Sequence, residues 1–293
     1  MNKKNRILIS GNSMNSLWGF FIIFAMCIAP ISQVTAGVLV APSVIVLDGK
    51  SKTGRMNLQN PSNTPKEVSI SFSFGIPESD SLGNVNIFLR DTAITDPNSA
   101  LGWVKAFPRK LIIPANGSQV VRFIAKPPKG LADGEYWVRV VVESQEGITS
   151  IPTATDEEQI TTQLNMIMRT AVMLKYRTGE LVAALEIRDT EIIQNETNVD
   201  VIVDMINKGN VSYIGLLECR LLDANKKEIS KHHLQLAVYR DLKRRITLPL
   251  VEGDFQKPYS VAVSITNKGR NDIPSNEMVF GNELSEQISL NGN

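Results

Sequence analysis

Apolar and polar residues alternate along much of this chain. Val68-Ser69-Ile70-Ser71-Phe72-Ser73-Phe74 places Val68, Ile70, Phe72 and Phe74 on one face and serines on the other, the period-2 pattern of a half-buried strand. Val38 to Leu47 is rich in β-branched residues and ends at Asp48-Gly49, a turn pair. Met56 to Asn60 alternates and stops at Pro61, and Leu111-Ile112-Ile113 runs into the turn Pro114-Ala115-Asn116-Gly117. Gln119 to Ala125 and Tyr136 to Val142 supply two more strands, while residues 76–102, broken by Gly, Asp, Asn and Pro, read as a long loop or edge insertion. No segment of this half holds a 3.6-residue apolar period, so a β-sandwich is predicted.

Residues 145–162 are polar and contain Pro152, which predicts a mobile loop between two strands. A long strand is predicted over Gln163 to Arg177, with Leu164, Met166, Met168, Val172 and Leu174 on one face, interrupted by Thr170. Thr178-Gly179-Glu180 is the expected break. Beyond it, Val199 to Ile206, Tyr213 to Leu222, Leu234 to Tyr239, Arg245 to Leu250, Tyr259 to Thr266 and Leu284 to Leu290 repeat the strand style, which suits a second sandwich.

The N-terminus is of another kind. Lys3, Lys4 and Arg6 precede an apolar run from Leu17 to Ile31, and Val34-Thr35-Ala36 gives a small-residue cleavage pattern before Gly37. The run would span only about 22 Å as a helix, short of a hydrocarbon core near 30 Å, so a cleaved signal peptide over residues 1–36 is expected rather than an anchor. The expected fold is all-β, with two immunoglobulin-like β-sandwich domains in tandem, residues 37–178 and 179–293. The whole chain has 31 Lys+Arg and 30 Asp+Glu, a formal charge of +1; without its three leader cations it becomes slightly acidic. That balance gives no sign of a nucleic-acid partner. Of the two cysteines, Cys27 lies in the leader and Cys219 remains, so no internal disulfide is expected.

Catalytic chemistry is hard to place. The two histidines, His232 and His233, are adjacent and would point to opposite faces of a strand, which disfavours a shared metal. No nucleophile-elbow, phosphate-loop or zinc-protease motif occurs, and Asp156-Glu157-Glu158 reads as a solvated loop. Cys219 sits among apolar neighbours in a predicted strand and reads as a small buried hydrophobe. Trp103 and Trp137 could serve as sugar platforms, but Trp137 alternates within a strand and reads as core. A non-enzymatic binder without metal or cofactor is the expectation.

Four stretches then resemble the PapD-like periplasmic chaperones of pilus assembly. They are Val40 to Gly49 followed by the Met-x-Leu-x-Asn of Arg55 to Asn60; Phe107 to Pro114 with Gln119 to Arg122; Gly134 to Val140; and Gln163 to Arg177, which ends in the aromatic-Arg pair Tyr176-Arg177. The resemblance implies a periplasmic protein that lends an edge strand to pilus or other surface-protein subunits, with an outer-membrane usher as a further partner. It places Leu164, Met166, Met168 and Val172 as the side chains offered to the client. It also implies two basic residues that hold a client carboxylate, but the aligned positions here are the apolar Val44 and Met173. Lys175 and Arg177 are the nearby candidates to replace them, and Thr178 stands where the family has a proline. A structural or adhesive envelope protein, with the sandwiches as spacers, is the alternative reading.

Overall fold

The computed structural model describes residues 37–92, 95–146, 166–270, 272–274 and 277–290. The expected signal peptide, Leu164 and the acidic run at 156–158 lie outside these residues. Among the described residues there are eighteen strands and no α-helix, and no helix long and apolar enough to cross a membrane.

In chain order the first half comprises β1 (Leu39–Ala41), β2 (Val44–Asp48), β3 (Thr53–Gln59), β4 (Lys66–Ser73), β5 (Pro77–Ser79), β6 (Val85–Ile87), β7 (Val104–Phe107), β8 (Lys110–Ile113), β9 (Ser118–Ala125), β10 (Gly134–Glu146) and β11 (Met168–Thr178). A four-stranded sheet, β1-β3-β9-β7, faces a five-stranded sheet, β2-β11-β10-β4-β8. The apolar faces read from sequence meet between them: Met56, Leu58, Val121 and Phe123 from one sheet, Val68, Ile70, Val140 and Leu174 from the other. The first strand of the sandwich is split. β1 pairs with β3, and after Pro42, which has no N–H to give a ladder, β2 crosses to pair in parallel with β11.

The second half comprises β12 (Leu185–Gln194), β13 (Asn198–Asn207), β14 (Tyr213–Leu222), β15 (Glu228–Val238), β16 (Asp241–Pro249), β17 (Ser260–Thr266) and β18 (Leu284–Ser289). Sheets β12-β13-β16 and β15-β14-β17-β18 enclose a second core around Val201, Val203, Leu217, Leu221 and Val263. Cys219 is fully buried there, and burial pushes its thiol up to about 12, so it packs as a small hydrophobe. His232 and His233 are exposed on β15, which begins earlier than the apolar pattern indicated.

Two parts differ from the sequence reading. β12 lies in a stretch assigned no strand. Residues 76–102 contain a hairpin, β5 paired with β6 and extended by bridging of Phe74 with Arg90. Its turn is held by Asp80, whose Oδ1 accepts the N–H groups of Leu82 and Asn84, both at 2.9 Å. The hairpin leaves its own sandwich and lies along β16. Ser79 Oγ accepts the Lys243 N–H at 2.8 Å, the Gly83 carbonyl accepts the Arg245 N–H at 3.3 Å, and Val85 packs against the second core. An edge that would otherwise present unpaired N–H groups is thereby covered.

The two sandwiches share one internal device. Asn60, just after β3, donates through Nδ2 to the carbonyls of Thr64, Ile113 and Pro114, and its Oδ1 accepts the Ser62 N–H. Asn207, at the end of β13, donates to the carbonyls of Val211, Val238 and Tyr239, and accepts the Gly209 N–H. Each amide thus ties its own loop to a loop from elsewhere in the same sandwich. Replacing either by Ala leaves several part-buried carbonyls without a donor, with an expected loss of about 2 kcal/mol in each case. Urea unfolding of Asn60→Ala and Asn207→Ala checks this; a shift in only one variant would show that the two loops are not equivalent.

Candidate partner-binding edge and interdomain cleft

β11 is the strand on which the sequence reading turned, and its two faces and two edges do different things. Along its whole length it pairs with β10, from Met168↔Ser144 to Thr178↔Gly134. On the other edge β2 covers only Met173 to Arg177, because the chain crosses between sheets just before Val44. Met168 to Val172 therefore have, among the described residues, a ladder partner on one side only. At about 3.3 Å per residue this open edge is roughly 17 Å long.

Side chains along β11 follow the strand alternation. Val172, Leu174 and Tyr176 point into the first core, and Val172 is only 4% exposed. Val172 is thus a residue of the protein's own core, a correction to its reading as a donor: the predicted face runs from inside the sandwich to outside it. Met166 and Met168 have the same parity but lie past the core and are 49% and 38% exposed, with Ile167 between them at 56%. Met168 leans on Gly37, since a Cβ there would come within 3.2 Å of its Cε and Cγ. Leu164, the remaining predicted donor, lies outside the described residues.

The opposite parity of β11 faces the second sandwich. Val44 and Met173, the two positions where the family resemblance calls for cations, are register partners on adjacent strands. The same row continues through Arg139 to Ser73. One row further on, Lys175 pairs with Trp137, and beyond that Arg177 pairs with Glu135.

Glu135 is wholly buried at the centre of this face. Its Oε1 accepts from Trp137 Nε1 at 2.7 Å and Ser212 Oγ at 2.6 Å and lies 3.2 Å from Lys175 Nζ, while its Oε2 accepts from Arg177 Nε at 2.8 Å. Burial alone would raise this carboxyl; Lys175 and Arg177 outweigh it, together with the Ser212 hydroxyl, and hold the group down to about 2. Lys175 is pushed down by burial and by the nearby Arg177 and Arg139, against the pull of Glu135. It also donates to Ser212 Oγ at 2.5 Å and lies 5.2 Å from the Tyr239 ring centroid. Arg177 reaches the Glu277 carbonyl through Nη1 at 2.6 Å. Lys175 and Arg177, candidates for holding a partner's carboxylate, are thus engaged by a carboxylate of their own chain, only 3% and 8% exposed.

Arg139 was not singled out from the sequence. It is half-buried, donates through Nε to the Gly75 carbonyl at 2.9 Å, and has no carboxylate within salt-bridge distance among the described residues. Burial lowers its pKa, yet an arginine stays charged. The parity of Glu135, Trp137 and Arg139 in β10 was the signal that could have found it. Around this group an apolar cluster of Phe74, Ile76, Trp137, Met173 and Tyr239 joins the sandwiches, with Trp137 and Tyr239 edge to face at 4.9 Å. Trp103 is a partner of the first core, edge to face with Tyr176 at 5.2 Å.

No family model and no curated protein matches the chain. Solved structures do. The YadV chaperone is similar at 13% identity and a TM-score of 0.44, over 86% of this chain and 99% of that one. The Escherichia coli chaperone DraB is similar at 11% identity and 0.40, over 87% and 98%. A chain from the complex of Salmonella enterica SafA pilin with the SafB chaperone is similar at 12% identity and 0.39, over 87% and 97%.

Proposed function

We propose that this protein is a non-enzymatic periplasmic chaperone that holds pilus or other surface-protein subunits by lending them the open edge of β11. The observation that carries the reading is the ladder from Met168 to Val172, unpaired on one side among the described residues, next to the exposed Met166, Ile167 and Met168. An exposed strand edge bordered by apolar side chains is a template for another chain's strand, and proteins normally blunt it. Here the hairpin covers β16, while among the described residues nothing pairs with this stretch of β11 on its second edge. A client strand would gain main-chain hydrogen bonds from the edge and would seat Met166 and Met168 in its own groove, where flexible thioethers fit irregular pockets. Residues 1–36 act as the signal peptide, and 37–178 and 179–293 as the two domains. An outer-membrane usher is the natural receiving partner; no nucleic acid, metal or cofactor takes part.

The test is co-purification from periplasm. The wild-type chain should bring down a β-rich subunit, and Met166→Asp with Met168→Asp should reduce recovery at least tenfold, since two carboxylates would have to enter an apolar groove. Both positions are substantially exposed, so the variant should retain the wild-type melting temperature. Equal recovery of the same partner by the double variant would refute strand lending by β11.

A further inference from the structure

The outer face of the β1-β3-β9-β7 sheet has a charge pattern of its own. Met56, Leu58, Val121 and Phe123 point into the first core, so the alternate residues of β3 and β9 point outward. Register sets Arg55 directly opposite Arg122, and Arg122 opposite Phe107. The row on one side of them pairs Asn57 with Val120, and the row on the other runs from Thr53 through Ile124 to Lys105. Lys52 and Lys126 stand at the strand ends beside that last row. The four strands contain no aspartate or glutamate. Lys52, Arg55, Lys105, Arg122 and Lys126 are all exposed, and none has a carboxylate within salt-bridge distance among the described residues.

Like charges directly opposite each other on a sheet repel, and soluble surfaces normally intersperse the two signs. The whole chain is nearly neutral, with 31 Lys+Arg against 30 Asp+Glu, so five cations without an acid are a local excess. Apolar side chains stand among them: Val120 and Ile124 are exposed, and Phe107 is 76% exposed. An anionic partner would relieve the repulsion, and an apolar one would take the Phe107 ring out of water. Shape decides what kind of partner this is. A peptide adds to a strand edge or lies in a groove. Here cations and apolar groups alternate over three paired strands, about 10 Å of sheet width by roughly 17 Å of strand length. A bilayer surface meets all of them at once: the long Lys and Arg side chains reach the headgroup phosphates while Phe107 and Ile124 enter the acyl boundary. We infer that this face docks on the surface of a bilayer that contains anionic phospholipid. The docking is independent of strand lending, because β11 belongs to the facing sheet.

The test is co-sedimentation of the protein, purified from periplasm, with vesicles of phosphatidylcholine alone and with vesicles that hold about one-third phosphatidylglycerol. The anionic vesicles should bind the protein about tenfold or more tightly. The difference should collapse between about 0.1 M and 1 M salt, as the screening length falls from roughly 10 Å to 3 Å. Arg55→Gln with Arg122→Gln should weaken binding to the anionic vesicles about tenfold or more. The same variant should keep or raise the melting temperature, because the pair it removes repels. Phe107→Ser, at an exposed position, should weaken the binding about threefold or more. Lys226→Gln with Lys227→Gln removes the same charge from the turn between β14 and β15 and should have no effect. Residues 1–36 are the same in every variant, so any contribution of theirs cancels. Equal binding to the two kinds of vesicle, or anionic binding that the Arg55 and Arg122 substitutions leave unchanged, would overturn the inference. So would binding of soluble polyglutamate that depends on Arg55 and Arg122 without binding of vesicles, which would assign the face to an acidic polypeptide.

Discussion

Glu135→Gln should destabilise the protein by about 3–5 kcal/mol at neutral pH, the usual cost of removing one partner from a buried ion group. The carboxylate is wholly buried and is the shared partner of Lys175 and Arg177, so the amide would leave two desolvated cations facing each other. A second consequence appears in the pH dependence. The Glu135 carboxyl titrates at about 2 in the folded chain against an ordinary value of 4.5. A depressed carboxyl contributes stability that is complete above its unfolded value and is lost as pH falls through its folded one. The difference corresponds to roughly 3 kcal/mol, present above about pH 4.5 and lost progressively toward pH 2. The wild-type denaturation midpoint should therefore fall across that window, and in Glu135→Gln this part of the decline should vanish. At the alkaline end the variant should recover more than the wild type, in which burial already pushes Lys175 down. Lys175 without its carboxylate holds its proton less firmly folded than unfolded, so stability should recover as pH rises toward 10. Urea midpoints between pH 2 and 10 decide the matter: parallel profiles for the two proteins would show that Glu135 is not the group that neutralises the cleft.

The parts of this architecture that could be read from the sequence are those where one face of a strand is buried and the other is wet. Val68, Ile70 and Phe72 announced β4, and the Met-x-Leu-x-Asn run announced β3, because alternation is a local property. β12 escaped for the same reason. It is an edge strand whose only buried residue is Leu185, and a register shift between Ile187 and Asp189 breaks the alternation. The hairpin escaped because its Gly, Pro and Asp residues are turn formers, and the long-range bonds that hold it along β16 have no signature in its own residues. The same division runs through the site. The parity of Met166 and Met168 was legible, but where the core ends along that face was not, so Val172 was grouped with them. That Arg177 lies opposite Glu135, and Met173 opposite Arg139, depends on a register set across a connection of some twenty residues, and no local pattern carries it.

Trp137→Ala should cost about 3–5 kcal/mol, and its mode of failure should be to uncouple the sandwiches. Read from alternation, Trp137 looked like a core residue. It is buried at 3% exposure, but on the face of β10 that meets the second sandwich, so its packing joins two bodies that each have a core of their own. It stacks edge to face on Tyr239, its backbone bonds Asn98 and Ala100 of the insertion, and its indole N–H donates to Glu135. Truncation removes the largest side chain of the joining cluster and one of the bonds that hold the buried carboxylate, while Phe123 and Leu217 in the two cores are untouched. Calorimetry of the wild type should show one cooperative transition, and of Trp137→Ala two resolved ones. Trp137→Phe apportions the effect: it keeps an aromatic ring against Tyr239 but loses the donor to Glu135, with an expected cost nearer 1–2 kcal/mol and a single transition. Two transitions already in the wild type would mean that the apolar joint does not couple the sandwiches. If Trp137→Phe behaved like Trp137→Ala, the hydrogen bond to Glu135 rather than the ring would hold the joint.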